Sequence, residues 1–274
     1  MTAMDTTPLP STVRMGLSRG WVEILQFFRD RTAVIFSFLF PALLLILFDT
    51  IFADDYDHPG LSAARVFSAS MIAYGIVATA FITMGVGIAS DRQDGTLKRL
   101  RGTPVTATAY FLGKLVLVAI LTAAEVVVLL AVGVVFFDMP LPSDAGRWLT
   151  FGWLFVLSVI ACGLLGIAAG GLVRSARTAG AVLNVPVVVL QFLSGVFIHP
   201  ITQLPGWMIT VASVFPVKWM AQGFRSVFLP DGAVPLEAGG AWEHGRIALV
   251  LLAWCVIGSV LCLRTFRWST TRDA

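Results

Sequence analysis

The amino-acid sequence predicts an all-α, polytopic membrane protein with six transmembrane helices. An N-terminal interfacial amphipathic helix precedes them, and short external re-entrant helices precede the last span. Three observations lead there. The 274 residues are 57% hydrophobic and only 13% charged, against roughly 45–50% and 25% in soluble globular domains. The mean hydropathy is +0.87. The apolar residues also fall in continuous runs rather than in alternation, so in lipid each run must satisfy its backbone internally as a helix.

A hydrocarbon core takes about 20 apolar residues in helical form. Runs of that kind are expected at 33–52 (around SFLFPALLLILF), 66–89, 107–137, 149–173, 178–198 and 247–263. The third is long enough to tilt, kink or protrude. The segment from Pro200 to Leu229 is apolar in part but interrupted by Pro205, Pro216, Lys218 and Arg225. Two short helices that dip into or lie on the membrane suit it better than a seventh span. The whole chain, 1–274, reads as one transmembrane domain.

Lysine and arginine set the orientation. With six spans both termini share one side, which carries Arg14, Arg19, Arg29, Arg31, Arg92, Lys98, Arg99, Arg101, Arg174, Arg177, Arg264, Arg267 and Arg272. The other side carries Arg65, Arg147, Lys218 and Arg225, with Lys114 and Arg246 near span ends. Both termini are therefore expected in the cytoplasm. The acids Asp54, Asp55, Asp57, Asp138, Asp144, Asp231, Glu237 and Glu243 fall outside. The N-terminal residues hold no apolar core followed by a small-residue cleavage site, so no secretory signal is expected. From Arg14 to Arg31, Leu17, Trp21, Ile24, Leu25 and Phe28 recur at helical spacing among charges. That pattern predicts a helix lying along the inner membrane face.

Polar residues within spans are costly and mark either pathways or buried hydrogen bonds. Glu125, midway along the third span, admits both readings, and Asn184 and Gln191 in the fifth span join it as candidate pathway residues. Pro186 beside them predicts a kinked helix facing protein. Asp49 sits close to the outer interface. Gly166 and Gly170, four apart, permit close helix approach, expected within the chain. Cys162, Cys255 and Cys262 lack metal or disulfide spacing and are expected to pack as apolar side chains. Trp207 and Trp219, with Lys218 and Arg225, suit interfacial anchoring of a lid over an exit, and His199-Pro200 suits a helix-ending turn.

One loop stands apart. In DRQDGTLKRLRGTP, from Asp91 to Pro104, six charged residues crowd into fourteen positions. Leu97 and Leu100 would share one face of a short helix, with Lys98, Arg99 and Arg101 around them. Asp91 and Asp94 precede it, where a helix macrodipole favours anions, and Thr103-Pro104 closes it. Such a unit can serve orientation alone, or it can receive force from a soluble partner.

The stretch is similar to the first cytoplasmic loop of the type-2 family of ABC exporter permeases, an acidic start followed by GTL, a basic residue, Leu and then TP. The matching residues are Asp91, Asp94, Gly95, Thr96, Leu97, Arg99, Leu100, Thr103 and Pro104. The family more often has Glu at the two acidic positions and aliphatics where Arg101 and Gly102 stand. The resemblance extends along nearly the whole chain. Residues 14–31 look like the family's connecting helix, and Leu193 to Phe228 looks like its fifth span with short external helices. It implies that 91–104 is a coupling helix fitting a groove on an ATPase subunit. It also implies a unit of two permease chains, identical or homologous, and two ATPase subunits, which would bind ATP and Mg. This chain would bind no cofactor: it has no G-x-x-x-x-G-K-[ST], and GVGIASD lacks the lysine a phosphate loop needs. The family exports drugs, antibiotics, lipids and polysaccharides, so the expected function is ATP-driven export of a hydrophobic or amphipathic substrate across a bacterial plasma membrane.

Two other classes compete. An ion-coupled secondary transporter often shows paired intramembrane charges and internal repeats, whereas Glu125 stands almost alone. A membrane-embedded enzyme needs a clustered nucleophile, base or metal set, whereas His58, His199 and His244 are dispersed. The sequence pI near 9.0 reflects topogenic cations rather than a basic groove for nucleic acid.

Overall fold

A computed structural model describes residues 10–56, 61–173 and 175–265, without the side chains of Asp54 and Asp55. Asp57, His58, Arg174, Arg267 and Arg272, named above, lie outside the described residues. Among those described, every extended element is helical. Six helical segments are long and apolar enough to cross a membrane: Arg31–Phe52, Ala63–Gln93, Ala107–Phe137, Ala145–Leu172, Ala176–Leu193 and His244–Thr265.

In chain order, α1 is Thr12–Arg29 and α2, the first span, is Arg31–Phe52. The second span comprises α3 (Ala63–Ile76), a π-helical stretch (Val77–Thr83) and α4 (Met84–Gln93). A short α5 (Thr96–Arg101) leads to α6 (Ala107–Phe137). Then come α7 (Ala145–Leu172) and α8 (Ala176–Leu193), the short α9 (Gly206–Val214) and α10 (Pro216–Phe228), and the last span α11 (His244–Thr265).

The helix starts are written in local side chains. Ser11, Ser62, Thr106 and Asp144 each accept a hydrogen bond from the backbone N–H three residues on, as short oxygen-bearing residues do at N-caps. Asp30 ends α1 and caps α2 through the Ala33 N–H at 3.1 Å. Pro216 sits at the first position of α10, where its missing N–H would be unpaired anyway.

The second span is the axle of the bundle. Its apolar window is 61% buried, against 17% in α2 and 22% in α8 and α11. It is surrounded by α2, α6, α7 and α10, while α11 packs on α7 and α1 packs on α6. The expected Gly166–Gly170 approach occurs here, inside the chain. A Cβ on Gly166 would lie 2.6 Å from the Phe81 carbonyl oxygen, and one on Gly170 would overlap the Gly85 carbonyl. The cysteines pack as expected: Cys162 Sγ lies 3.7 Å from Met220 Sδ, and Cys262 reaches the Leu164 carbonyl.

Two expectations need correction. The fifth span stops at Leu193 rather than near 198, because Gly195 takes a left-handed φ of 69°. The chain then turns inward and leaves His199 only 8% exposed. The region after it does not anchor through Trp219, Lys218 and Arg225, since every residue of α10 is buried, packed on α3, α7 and α11. Trp207 of α9 alone among the four is exposed, at 63%. The reason is that Arg225 finds a buried carboxylate and Lys218 lies 3.7 Å above the Trp219 ring.

Candidate coupling site

One end of the bundle gathers α1, α5, the α7–α8 junction and the adjoining turns of α4 and α6. The opposite end gathers α9, α10 and the residues beside them. The predicted loop belongs to the first end, but only part of it is loop. Asp91, Arg92 and Gln93 form the last turn of α4. Asp94 then caps α4, and Gly95 reverses the chain at φ 73°, a left-handed conformation that glycine adopts without a Cβ penalty. α5 follows, closed by Gly102 N–H to Arg99 O at 3.2 Å and by Thr103 Oγ1 donating to Leu100 O at 2.7 Å.

Each residue of that last turn of α4 grips a different neighbour. Asp91 accepts from Tyr110 Oη at 2.6 Å and from Lys114 Nζ at 2.8 Å, both on α6. Arg19 and Glu23 of α1 complete this cluster, at 2.9 Å from each other, with Lys114 Nζ 3.1 Å from Glu23. Arg92 donates to the carbonyls of Gly171, at 2.7 Å, and of Val173 at the end of α7. Gln93 Oε1 accepts from the Ala176 N–H at 2.9 Å, and so caps α8, whose own N-cap Ser175 makes no side-chain bond. Four helices therefore meet at three consecutive side chains.

This arrangement changes the roles of two predicted residues. Asp91 does not sit at the α5 N-terminus; it is spent on α6 and α1. Leu97 is 2% exposed and belongs to the chain's own apolar core, with Leu100 partly buried against that core. Leu97 seats α5 rather than offering a free apolar face. What α5 presents outward is Lys98, Arg99 and Arg101, followed by Gly102, Thr103 and Pro104. Arg99 folds back to Thr96 Oγ1 at 3.1 Å. Lys114, Tyr110, Glu23 and Gln93 were not among the site residues expected from the sequence. The signal available was a tyrosine and a lysine four apart at one end of an otherwise apolar span.

The candidate pathway residues are not brought together. Glu125 is 2% exposed and accepts from Thr79 Oγ1 at 3.1 Å, on the π-helical stretch. A Cβ on Gly75 would collide with its carboxylate. The hydrogen bond to Thr79 joins α6 to the second span. Gln191 is 1% exposed, whereas Asn184 and Pro186 lie on the uncovered face of α8. Among the described residues no hydrogen bond joins Glu125, Asn184 and Gln191.

The opposite end holds its own buried network. Arg225 donates to Glu237 through Nε at 2.5 Å and Nη2 at 3.0 Å, and through Nη1 to Gly195 O at 3.0 Å. Tyr56 Oη donates to His199 O at 2.8 Å, and His199 Nε2 lies 3.9 Å from Glu237. Burial raises the Glu237 carboxyl, but the Arg225 guanidinium and then the His199 hydrogen bond outweigh it and hold the group at about 2. Burial keeps His199 below its ordinary value despite the nearby carboxylate.

The family model described as ABC-2 type transporter matches residues 19–229, a segment that includes α5, its anchors and α10. Over 185 residues, 68% of this chain, the sequence is 22% identical to YbhR of Escherichia coli (strain K12), named as a multidrug ABC transporter permease. Over 245 residues it is 22% identical to YvfS of Bacillus subtilis (strain 168), named as a transport permease, covering 87% of this chain and 91% of that one. The chain spans about half the length of the Escherichia coli relative, 49%.

Proposed function

We propose, from the premise that this chain belongs to the ABC-2 type transporter family, that it is the membrane-spanning subunit of an ATP-driven exporter. Its cargo would be hydrophobic or amphipathic, and a separate ATPase subunit would supply the power, with ATP and Mg bound there. The α5 end would face the cytoplasm. Supporting this, the described cations at that end include Arg14, Arg19, Arg29, Arg92, Lys98, Arg99, Arg101 and Arg177, the side on which a plasma-membrane protein concentrates them. The YbhR name, a multidrug ABC transporter permease, supports a drug-like cargo.

One observation carries the reading. α5 is a short basic helix whose base is fixed to α1, α6, α7 and α8 by Asp91, Arg92 and Gln93, while its basic side faces outward. A displacement of α5 would thus be passed to both the second–third and the fourth–fifth span connections. ATP-driven closure of two partner ATPases against Lys98, Arg99 and Arg101 would then tilt the spans and alternate access. A second permease chain, identical or homologous, would cover the uncovered face of α8 that carries Asn184 and Pro186. The buried α10 would close the outer end.

The test is co-purification from native membranes in mild detergent. A Lys98→Glu/Arg99→Glu chain should still purify as a monodisperse membrane protein yet lose a stoichiometric ATPase subunit that the wild-type chain retains. A wild-type chain that purifies without any ATPase and transports on an ion gradient alone would sink the reading in favour of a secondary transporter.

A further inference from the structure

α1 is built inside out relative to a surface helix of a soluble protein, whose apolar stripe faces the core. Its buried side is Gly16, Gly20, Glu23 and Ile24, pressed on α6. Val13, Leu17, Trp21, Leu25 and Phe28 are instead 42–60% exposed. At 3.6 residues per turn these five occupy one arc of about 120°, with Arg14 inside it and Ser18 just past its edge. Beside that edge runs a groove of about 460 Å³ lined by Arg14, Met15, Ser18, Arg19, Val22 and Val105. Arg14 is exposed and forms no ion pair among the described residues. Arg19 is held by Glu23 at 2.9 Å and lies 4.8 Å from the Tyr110 ring centroid.

The combination is that of a lipid headgroup site. The exposed stripe belongs among acyl chains, which fixes the depth of α1 at the membrane interface. The groove at its border then lies at headgroup level and carries an unpaired guanidinium with a hydroxyl one turn away. A guanidinium presents a planar fork of donors that fits a phosphate, and basic pockets at this level select anionic lipids. We propose that the groove holds the phosphate of an anionic phospholipid from the leaflet that α1 contacts, with Arg14 and Ser18 as direct ligands. Arg19, whose charge is offset by Glu23 and Asp91, forms the wall of the groove behind them. Leu17 and Trp21 flank the lipid's acyl chains. Lipid bound there would brace α1 against the α5 end of the bundle. The assignment needs the six spans and the exposure of α1, not the direction of transport or the identity of any partner.

The experiment is native mass spectrometry of the purified full chain titrated with phosphatidylglycerol or with phosphatidylcholine. The wild-type chain should retain phosphatidylglycerol preferentially. Arg14→Ala should lower that preference about fivefold, the weight of one interfacial cation. Arg29→Ala, on the same helix but outside the groove, should change it less than about twofold on the same scale. Because Arg14 is exposed, the variant should keep its gel-filtration profile. Equal losses in the two variants would mean bulk charge attraction and overturn the proposal. So would full displacement by millimolar inorganic phosphate, which would mark a free-anion site. Unchanged lipid retention in Arg14→Ala, with loss of a co-purifying protein, would make the groove a protein contact and overturn it equally.

Discussion

Arg225→Ala should be among the most damaging single changes outside the spans. Arg225 is fully buried and supplies both charge and four directed contacts: two to Glu237, one to Gly195 O, and one to Ser70 Oγ at 3.5 Å. Truncation leaves the Glu237 carboxylate, itself 2% exposed, with His199 Nε2 at 3.9 Å in place of the guanidinium. Removing one partner of a buried pair costs roughly 3–5 kcal/mol, because the survivor remains buried and uncompensated. At roughly 2–4 °C per kcal/mol for a chain of this size, the melting temperature should fall by roughly 6–20 °C. The assay is retention of the monodisperse gel-filtration peak after heating the purified chain in detergent. An Arg225→Met/Glu237→Leu double variant should recover most of the loss, since no lone charge remains; contacting residues are strongly non-additive in this way. A single variant within about 2 °C of wild type, or a double variant as unstable as the summed singles, would refute the assignment of the pair as the clamp on α10.

Other substitutions test the remaining elements. Leu97→Asp should prevent accumulation of folded chain, by placing an unpaired carboxylate in the core at a cost of several kcal/mol; Arg99→Glu should leave folding intact, and fluorescence-detected gel filtration reads both. Gly20→Val should prise α1 from α6, because a Cβ there already lies 2.9 Å from the Gly113 carbonyl oxygen. Increased proteolysis of α1 at unchanged insertion would show it. Folded His199 takes up its proton at lower pH than the unfolded chain, so its contribution is present above about 6.5 and lost as pH falls. Glu237 adds a second loss between its ordinary 4.5 and about 2. Melting temperature against pH should therefore decline below about 6.5, and His199→Gln should flatten that first limb.

Most of the fold was legible because membrane-spanning structure is written locally. The third span runs from Ala107 to Phe137 in both the expected and the observed structure, since a long apolar run in lipid has only the helix open to it. Pro205 and Pro216 marked the two short helices, and Ser11, Thr106 and Asp144 mark helix starts by capping groups that lie three residues from their targets. The stretch from Asp91 to Pro104 was legible as a short basic helix. Its attachments were not, because Asp91 could be assigned to a helix terminus until Tyr110 and Lys114 were seen beside it. Leu97 likewise looked like a docking residue because an apolar side chain in a charged loop has no local sign of which surface it meets.

By itself, then, the sequence determined the number of apolar helical spans, their approximate positions and the side bias of the cations, all properties of length and local composition. Tertiary structure alone decided that α10 is enclosed, that Glu125 bonds Thr79, and that Gln93 caps α8. Each of these depends on groups far apart along the chain: Arg225 and Ser70 are separated by 155 positions, and Gln93 and Ala176 by 83. A buried charge must find its counterpart wherever packing puts one, and packing is set by which helix faces meet.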